Sequence, residues 1–266
     1  MNDEQPMLSI IIPAYNEGDT IKQTMEEVLA DVSDNIIQIK ITKQVIVIND
    51  GSTDQTGNIL KQYAHLPNVK IITHEKNKGK GAGLKAAIPH CTGKYTIIQD
   101  ADLEYRPIDY PLVLYPASMG FKAIFGSRRL NPYNERNQSS SFLYYLGGNT
   151  LTKLANLLYG TRHSDAWTGY KCIETNLLKS LNLQCDGFEI CAETVAKLAK
   201  QKIDVFTVPI HFYPRTKKQG KHIRTSDGIK LALTLIKQKL KKWNPLPTKV
   251  GSFEKIKENG KNKKEG

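Results

Sequence analysis

The chain has 266 residues, 39% of them hydrophobic, and 38 Lys and Arg against 26 Asp and Glu give it a net charge of +12. That length supports one sizeable core, the composition is that of a soluble globular chain, and no stretch reaches the roughly 18–20 apolar residues of a membrane span. The basic balance favours anionic partners such as sugar nucleotides, lipid headgroups or nucleic acid. Much of the excess lies near the C-terminus, so it says less about the folded domain. Cys91, Cys172, Cys185 and Cys191 have no metal-type spacing and read as reduced, buried thiols. The polar start, Met1 to Pro6, lacks the apolar centre of a signal peptide, and the expected location is cytoplasmic.

Leu8 to Pro13 is an apolar run stopped by proline and reads as the first strand. A loop, Ala14 to Asp19, leads to a helix with Ile21, Met25, Val28 and Leu29 at helical spacing, capped by Asp19 or Thr20. The segment 36–43 reads as a short strand or an insertion. Gln44 to Asp50 is a β-branched strand ending in polar residues, followed by a turn and a helix to about Ala64. Val69 to Thr73 is a third strand, and after Asn77 to Gly83 a helix runs from Leu84 to Ile88. Tyr95 to Ile98 is a short buried strand ending in Asp100-Ala-Asp102 and Glu104. Strand, loop and helix alternate, which is the pattern of a doubly wound, mostly parallel α/β sheet, with the polar loops converging on one edge.

The second half reads as a strand, Lys122 to Gly126, then a polar stretch 131–141 and an aromatic-faced helix, Phe142 to Tyr159. A polar loop, Asp165 to Lys171, leads to a new element at Cys172; Gly187-Phe-Glu189 opens a helix to about Lys200, and Val205 to Phe212 is a strand. After a basic loop, Tyr213 to His222, Asp227 caps a last helix with Ile229, Ala232, Leu233, Ile236, Leu240 and Trp243 on one stripe. The expected domain is 7–243, with 244–266 a basic tail too poor in apolar residues to order itself.

In an open α/β sheet ligands bind beyond the carboxyl ends of the strands. Asp100 and Asp102, at such an end, can offer hard oxygen ligands to Mg²⁺ or Mn²⁺, which in turn bind diphosphate oxygens; the bland alternative is a solvated acidic turn. Tyr15 can stack on a base, and Asp50 can accept a ring N–H. Lys80, among Gly79, Gly81 and Gly83, can meet a phosphate, although the run is neither a P-loop nor a dinucleotide fingerprint. Arg215 and Lys221 lie in a loop that is either solvated surface or a source of charge for a departing diphosphate.

Seven segments stand in order: Pro13-Ala-Tyr-Asn-Glu17, Asn49-Asp-Gly-Ser-Thr-Asp54, Asn77-Lys-Gly-Lys-Gly-Ala-Gly83, Asp100-Ala-Asp102, Gly126-Ser-Arg128, Asp165-Ala-Trp-Thr-Gly-Tyr-Lys171 and Gly187-Phe-Glu189. Over about residues 7–240 the chain resembles the family 2 glycosyltransferases of the glycosyltransferase A fold, and among them the dolichyl- or polyprenyl-phosphate mannose and glucose synthases. The resemblance implies inverting transfer from a UDP- or GDP-sugar to a lipid phosphate. It places Pro13, Tyr15, Glu17 and Asp50 at the nucleoside, Lys80 and Asp100 at the nucleotide and its phosphates, and Arg215 and Lys221 at the diphosphate. Asp102 would be the main metal ligand, with Asp100 and Glu104 assisting, and Arg128 would lie near the acceptor. Asp165 and Glu189 are candidates for acceptor-side catalysis. One would be the general base for a hydroxyl acceptor, whereas a phosphate acceptor needs no strong base; the plain alternatives are a loop cap and a helix-terminal carboxylate.

The chain departs from the family pattern in two places. Asn49 stands where an aspartate is usual. The Arg and Ser that precede the Gly-x-Asn segment in mannose synthases are replaced by Ser141 and Tyr145, while Arg136 and Ser140 have the spacing but lie upstream. A glycan or other hydroxyl acceptor is therefore the rival reading, and a non-catalytic nucleotide-sugar-binding module a rival of another class. Nucleic acid is not expected as a partner, because the positive excess is a tail rather than a patterned surface. Lys237, Lys239, Lys241 and Lys242 flank the last helix's stripe, which suits either packing on the sheet or peripheral contact with a membrane.

Overall fold

The computed structural model describes residues 7–30, 41–131, 142–215, 225–242 and 245. The segment 36–40, the departures at 136, 140 and 141, Lys221, Trp243 and the tail from 246 lie outside the described residues.

The strands are β1 (Leu8–Ala14), β2 (Lys43–Asp50), β3 (Val69–His74), β4 (Tyr95–Ile98), β5 (Ala123–Ser127), β6 (Lys171–Glu174) and β7 (Val205–Pro209). They form one sheet in the order β3-β2-β1-β4-β6-β5-β7. β1 pairs parallel with β2 and β4, β2 with β3, and β5 with β7, whereas β6 runs antiparallel to β4 and β5. The carboxyl ends of the parallel strands thus share one edge, and β6 begins at that edge. The loop before β6, not the one after it, therefore joins the site.

The helices are α1 (Ile21–Leu29), α2 (Thr56–Lys61), α3 (Lys80–Ala87), α4 (Tyr110–Ser118), α5 (Phe142–Tyr159), α6 (Thr175–Ser180), α7 (Ile190–Lys200) and α8 (Thr225–Leu240). Both sheet faces are covered, which is why the central strands read as continuous apolar runs. Ile10, Ile12, Val45, Val47 and Ile97 pack on one side with Ile21, Met25 and Val28 of α1 and Tyr110 and Val113 of α4. Ile11, Ile46 and Ile48 pack on the other with Leu84 of α3, Val195 and Leu198 of α7, and Leu231 and Leu235 of α8. Burying such side chains stabilises the fold by about 1.5–3 kcal/mol each.

The glycine-rich segment differs from the sequence expectation. α3 starts at Lys80, not Leu84, so Gly81 and Gly83 are helical. The reason is close packing: a Cβ on Gly81 would lie 2.8 Å from the Asp186 carbonyl carbon and closer still to the Cys185 carbonyl oxygen. Gly79, at φ +98°, supplies the turn into the helix. The loop it meets is fixed from below by buried Glu193, which accepts from the Gln184 and Cys185 N–H groups at 2.9 and 2.8 Å and pairs with Lys197 at 2.7 Å. α4 and α6 were not evident in the sequence, and β7 ends three residues earlier than expected.

Gly81→Ala should therefore destabilise the protein by about 1–3 kcal/mol through overpacking. Gly147→Ala, with nothing within 4 Å of its new Cβ in α5, should be neutral or stabilising by up to about 1 kcal/mol. Urea unfolding of the two variants checks the contrast; equal effects would mean that α3 does not sit against the 185–187 backbone.

Candidate active site

A cavity of about 300 Å³ opens at the carboxyl edge of the sheet. Pro13, Tyr15 and Glu17 line it from the end of β1, Asp50 from β2, and Asp100, Asp102 and Glu104 from the end of β4. Lys80 enters from α3, Arg128 from the end of β5 and Arg215 from the loop after β7. These expected residues share one cavity because parallel strands carry their carboxyl ends to one edge.

Arg215 ties three loops together. Its Nη1 is 3.0 Å from Glu17 Oε2, its Nη2 is 3.1 Å from Asp102 Oδ2, and its backbone N–H donates to Glu104 Oε1 at 2.8 Å. Burial raises the Asp102 carboxyl to about 7, reinforced by Asp100 and Glu104 and opposed by Arg215. Burial alone would lower the Lys80 ammonium pKa, but the ion pair with Asp100 outweighs it and raises it. Asp100 is pressed by the loop before β6: a Cβ on Gly169 would lie 3.2 Å from the Asp100 carboxyl carbon.

Asp50 does not point an uncommitted carboxylate at the cavity. It accepts from the Lys78 N–H at 3.0 Å and the Gly79 N–H at 2.8 Å, and its Oδ1 lies 2.6 Å from His74 Nδ1. It thereby holds the loop that leads to Lys80. Asn49 is spent locally, accepting from the Ser52 N–H at 3.1 Å.

The expected three-carboxylate metal set is not assembled as one cage. Asp100 turns to Lys80 and Glu104 caps the Arg215 backbone, and among the described residues no group of three His, Cys, Asp or Glu side chains is arranged to hold a metal ion. Asp102 also lines the cavity, and it would hold a hard cation in place of Arg215, which takes its Oδ2, while its Oδ1 accepts from the Glu104 N–H at 3.1 Å. One or two carboxylates suffice where substrate phosphate oxygens and water complete the shell.

The two candidate bases sit as the plain alternatives had them, a buried loop carboxylate and a carboxylate at a helix start. Asp165 is fully buried and gripped by Arg128, with Nε to Oδ2 at 2.7 Å and Nη2 to Oδ1 at 2.8 Å. Burial works against its charge, yet Arg128 prevails and holds the carboxyl at about 2. The pair fixes the orientation of the Arg128 guanidinium, which stacks 5.3 Å from the Phe212 ring centre. Glu189 immediately precedes α7, accepts from the Gly187 N–H at 3.2 Å, and is not among the residues lining the cavity. Residues absent from the sequence expectation also line it: Tyr105, Trp167, Phe188, Cys191 and Asp227. Trp167 stood within a quoted segment without a role, and Asp227 read only as a helix cap.

Comparison with known proteins shows the family and the fold. Residues 9–179 match the family Glycosyl transferase family 2. The chain is 28% identical to a UDP-N-acetylglucosamine–dolichyl-phosphate N-acetylglucosaminyltransferase of Methanococcus voltae, over 89% of this chain and 97% of that protein. It is 27% identical to a dolichyl-phosphate beta-glucosyltransferase of Trichomonas vaginalis, over 86% and 72%. Some relatives are longer: the chain spans 49% of a low-salt glycan biosynthesis hexosyltransferase of Haloferax volcanii, at 27% identity over 80% of this chain. In fold it superposes on glucosyl-3-phosphoglycerate synthase of Mycobacterium tuberculosis, solved with Mn²⁺, UDP-glucose and glycerol 3-phosphate, with TM-score 0.60 and 17% identity over 88% and 80% of the two chains. The sheet, its flanking helices and the family match together make this chain a glycosyltransferase of the α/β, glycosyltransferase A type, and it belongs to glycosyl transferase family 2.

Proposed function

We propose that the chain moves a sugar from a nucleoside-diphosphate sugar to a polyprenyl phosphate, with inversion. One observation carries the choice of acceptor: neither candidate base faces the cavity. Asp165 is a buried partner of Arg128, and neither it nor Glu189 is among the residues that line the cavity. A hydroxyl nucleophile needs a proton acceptor, whereas a phosphate arrives as an anion. The acceptor oxygen bonds to the anomeric carbon as the bond to the diphosphate breaks and its electron pair leaves with the nucleoside diphosphate. The dolichyl-phosphate transferases among the relatives support the same reading.

In this reading the exposed ring of Tyr15, with Pro13, receives the base, and Asp50 shapes that end through the Lys78–Gly79 backbone. Lys80 and Asp100 support the phosphates. Asp102 would hold Mg²⁺ or Mn²⁺, which supplies charge that stabilises the leaving diphosphate when bound. With Asp102 so occupied, Arg215 would keep Glu17 and offer its remaining charge to the diphosphate. Arg128, oriented by Asp165, meets the acceptor phosphate. The rival acceptor, a hydroxyl, would have to draw on Asp227 at the first turn of α8.

The last helix supports a membrane-borne acceptor. Leu231, Leu235 and Gln238 of α8 pack inward, while Ile229, Leu233, Ile236 and Leu240 form a second, exposed stripe. Lys230, Lys237, Lys239 and Lys241 are exposed around it. Packing on α5 and α7 explains the first face and leaves the second unexplained; an apolar stripe flanked by lysines suits a helix lying in an anionic headgroup layer. No described helix is long and apolar enough to cross a membrane. Asp227, at the same helix's start, lines the cavity, so the stripe leads from the headgroup layer to the site.

Two measurements test this reading. In a nucleotide-release assay with Mn²⁺ and a panel of UDP- and GDP-sugars, a short polyprenyl phosphate should stimulate nucleoside diphosphate release by about tenfold or more, a gain of at least about 1.4 kcal/mol in the barrier. Stimulation by a glycan or simple alcohol but not by the lipid phosphate would move the acceptor to a hydroxyl. In flotation with anionic vesicles the protein should rise with the lipid, and Leu233→Glu with Ile236→Glu should leave it at the bottom while preserving turnover of the short acceptor in solution. Equal flotation of this variant would contradict the assignment of α8.

A further inference from the structure

We propose that Trp167 reads the transferred sugar and sets donor-sugar specificity. The proposal rests on the assignment of the cavity to the nucleotide sugar and adds a residue that neither the motif reading nor the acceptor argument uses. Its basis is position. Trp167 stands in the loop before β6, two residues after Asp165, which orients Arg128, and two before Gly169, which abuts Asp100. On that assignment, Asp100 and Lys80 lie at the diphosphate and Arg128 at the acceptor, all three lining one cavity. The transferred sugar is bonded to the diphosphate and attacked from the acceptor side. It then lies in the interval that this loop spans.

The second basis is an unmet hydrogen-bonding group. Trp167 is 8% exposed, forms part of the cavity wall, and packs within the core on the α3–α7 side of the sheet. Its indole N–H is buried with no acceptor. Buried tryptophans ordinarily pair this group, and leaving a buried donor unpaired costs about 1–3 kcal/mol. A residue chosen for packing alone needs no such donor. The N–H is covered as the ring stands, so the indole edge turns toward the cavity when a sugar hydroxyl oxygen supplies the acceptor, while the indole face offers an apolar surface to the sugar C–H groups. A site built to bond a particular hydroxyl rejects the analogue that lacks it, because its own polar group is then left unpaired.

The test uses the full chain, in which Trp167 and Trp243 are the two tryptophans. In a Trp243→Phe background, emission is read while Mn²⁺ with UDP, UDP-glucose, UDP-N-acetylglucosamine, GDP or GDP-mannose is added. The sugar nucleotide that binds should shift Trp167 emission, and its parent nucleoside diphosphate should not. Calorimetry of Trp167→Phe, which keeps an aromatic ring and removes the N–H, should show the parent diphosphate bound as in wild type and the sugar nucleotide weakened about tenfold, within the range expected for one lost hydrogen bond to a buried donor. One deoxy analogue of that sugar should bind wild type and Trp167→Phe alike. Equal weakening of diphosphate and sugar nucleotide would overturn the proposal, since the N–H would then serve the diphosphate or only the loop. No change in either would also overturn it. Wild type that binds none of the five nucleotides would sink the cavity assignment itself, a result distinct from either.

Discussion

A guanidinium held between two carboxylates is the constraint on which the site depends. Arg215 joins Glu17 after β1 to Asp102 after β4, and its backbone joins Glu104. Three loops that are far apart in sequence are thereby fixed against one cavity. The arrangement also explains how a crowded set of acids is tolerated. Asp102 carries the burden of burial beside Asp100 and Glu104 and is raised to about 7, while Lys80 and Arg215 supply the compensating charge. On the proposed function, such a cavity suits a substrate that brings both negative phosphates and a cation, with the protein's own cations holding the acids meanwhile.

The antiparallel strand divides the labour. The parallel strands β1, β2 and β4 deliver the residues assigned to nucleotide and cation from their carboxyl ends. β6 inserts between β4 and β5 in the opposite sense, so its preceding loop delivers Trp167 and the Asp165 that orients Arg128. Without that reversal the Asp165–Lys171 segment would lie at the far edge of the sheet. On the proposed function, acceptor-side charge is supplied by an arginine whose counter-ion is buried, an arrangement suited to gripping a phosphate rather than to removing a proton.

Much of this was legible in the sequence because it rests on local pattern. Apolar β-branched runs gave the strands, and polar residues at their ends gave most of the cavity. What escaped depends on distant packing. The glycines after Asn77 read as a loop because their helical register is imposed by the 185–187 backbone. The direction of β6 has no signature in a four-residue strand, and Lys171–Glu174 could run either way. Asp165 and Glu189 stayed open between a base and a structural carboxylate because their partners, Arg128 and the Gly187 N–H, are revealed only by contacts. Asp50 likewise bonds a loop 28 residues onward, which spacing does not disclose.

The most direct measurement of the central claim is Mn²⁺ binding followed by electron paramagnetic resonance, with and without a nucleoside diphosphate. The account predicts that nucleotide strengthens binding in wild type and that Asp102→Asn abolishes it. It also predicts that Arg215→Gln strengthens binding in the absence of nucleotide, because Asp102 is then uncovered. Undiminished Mn²⁺ binding in Asp102→Asn, or binding in Arg215→Gln no tighter than in wild type, would contradict the account of how this cavity holds its charge.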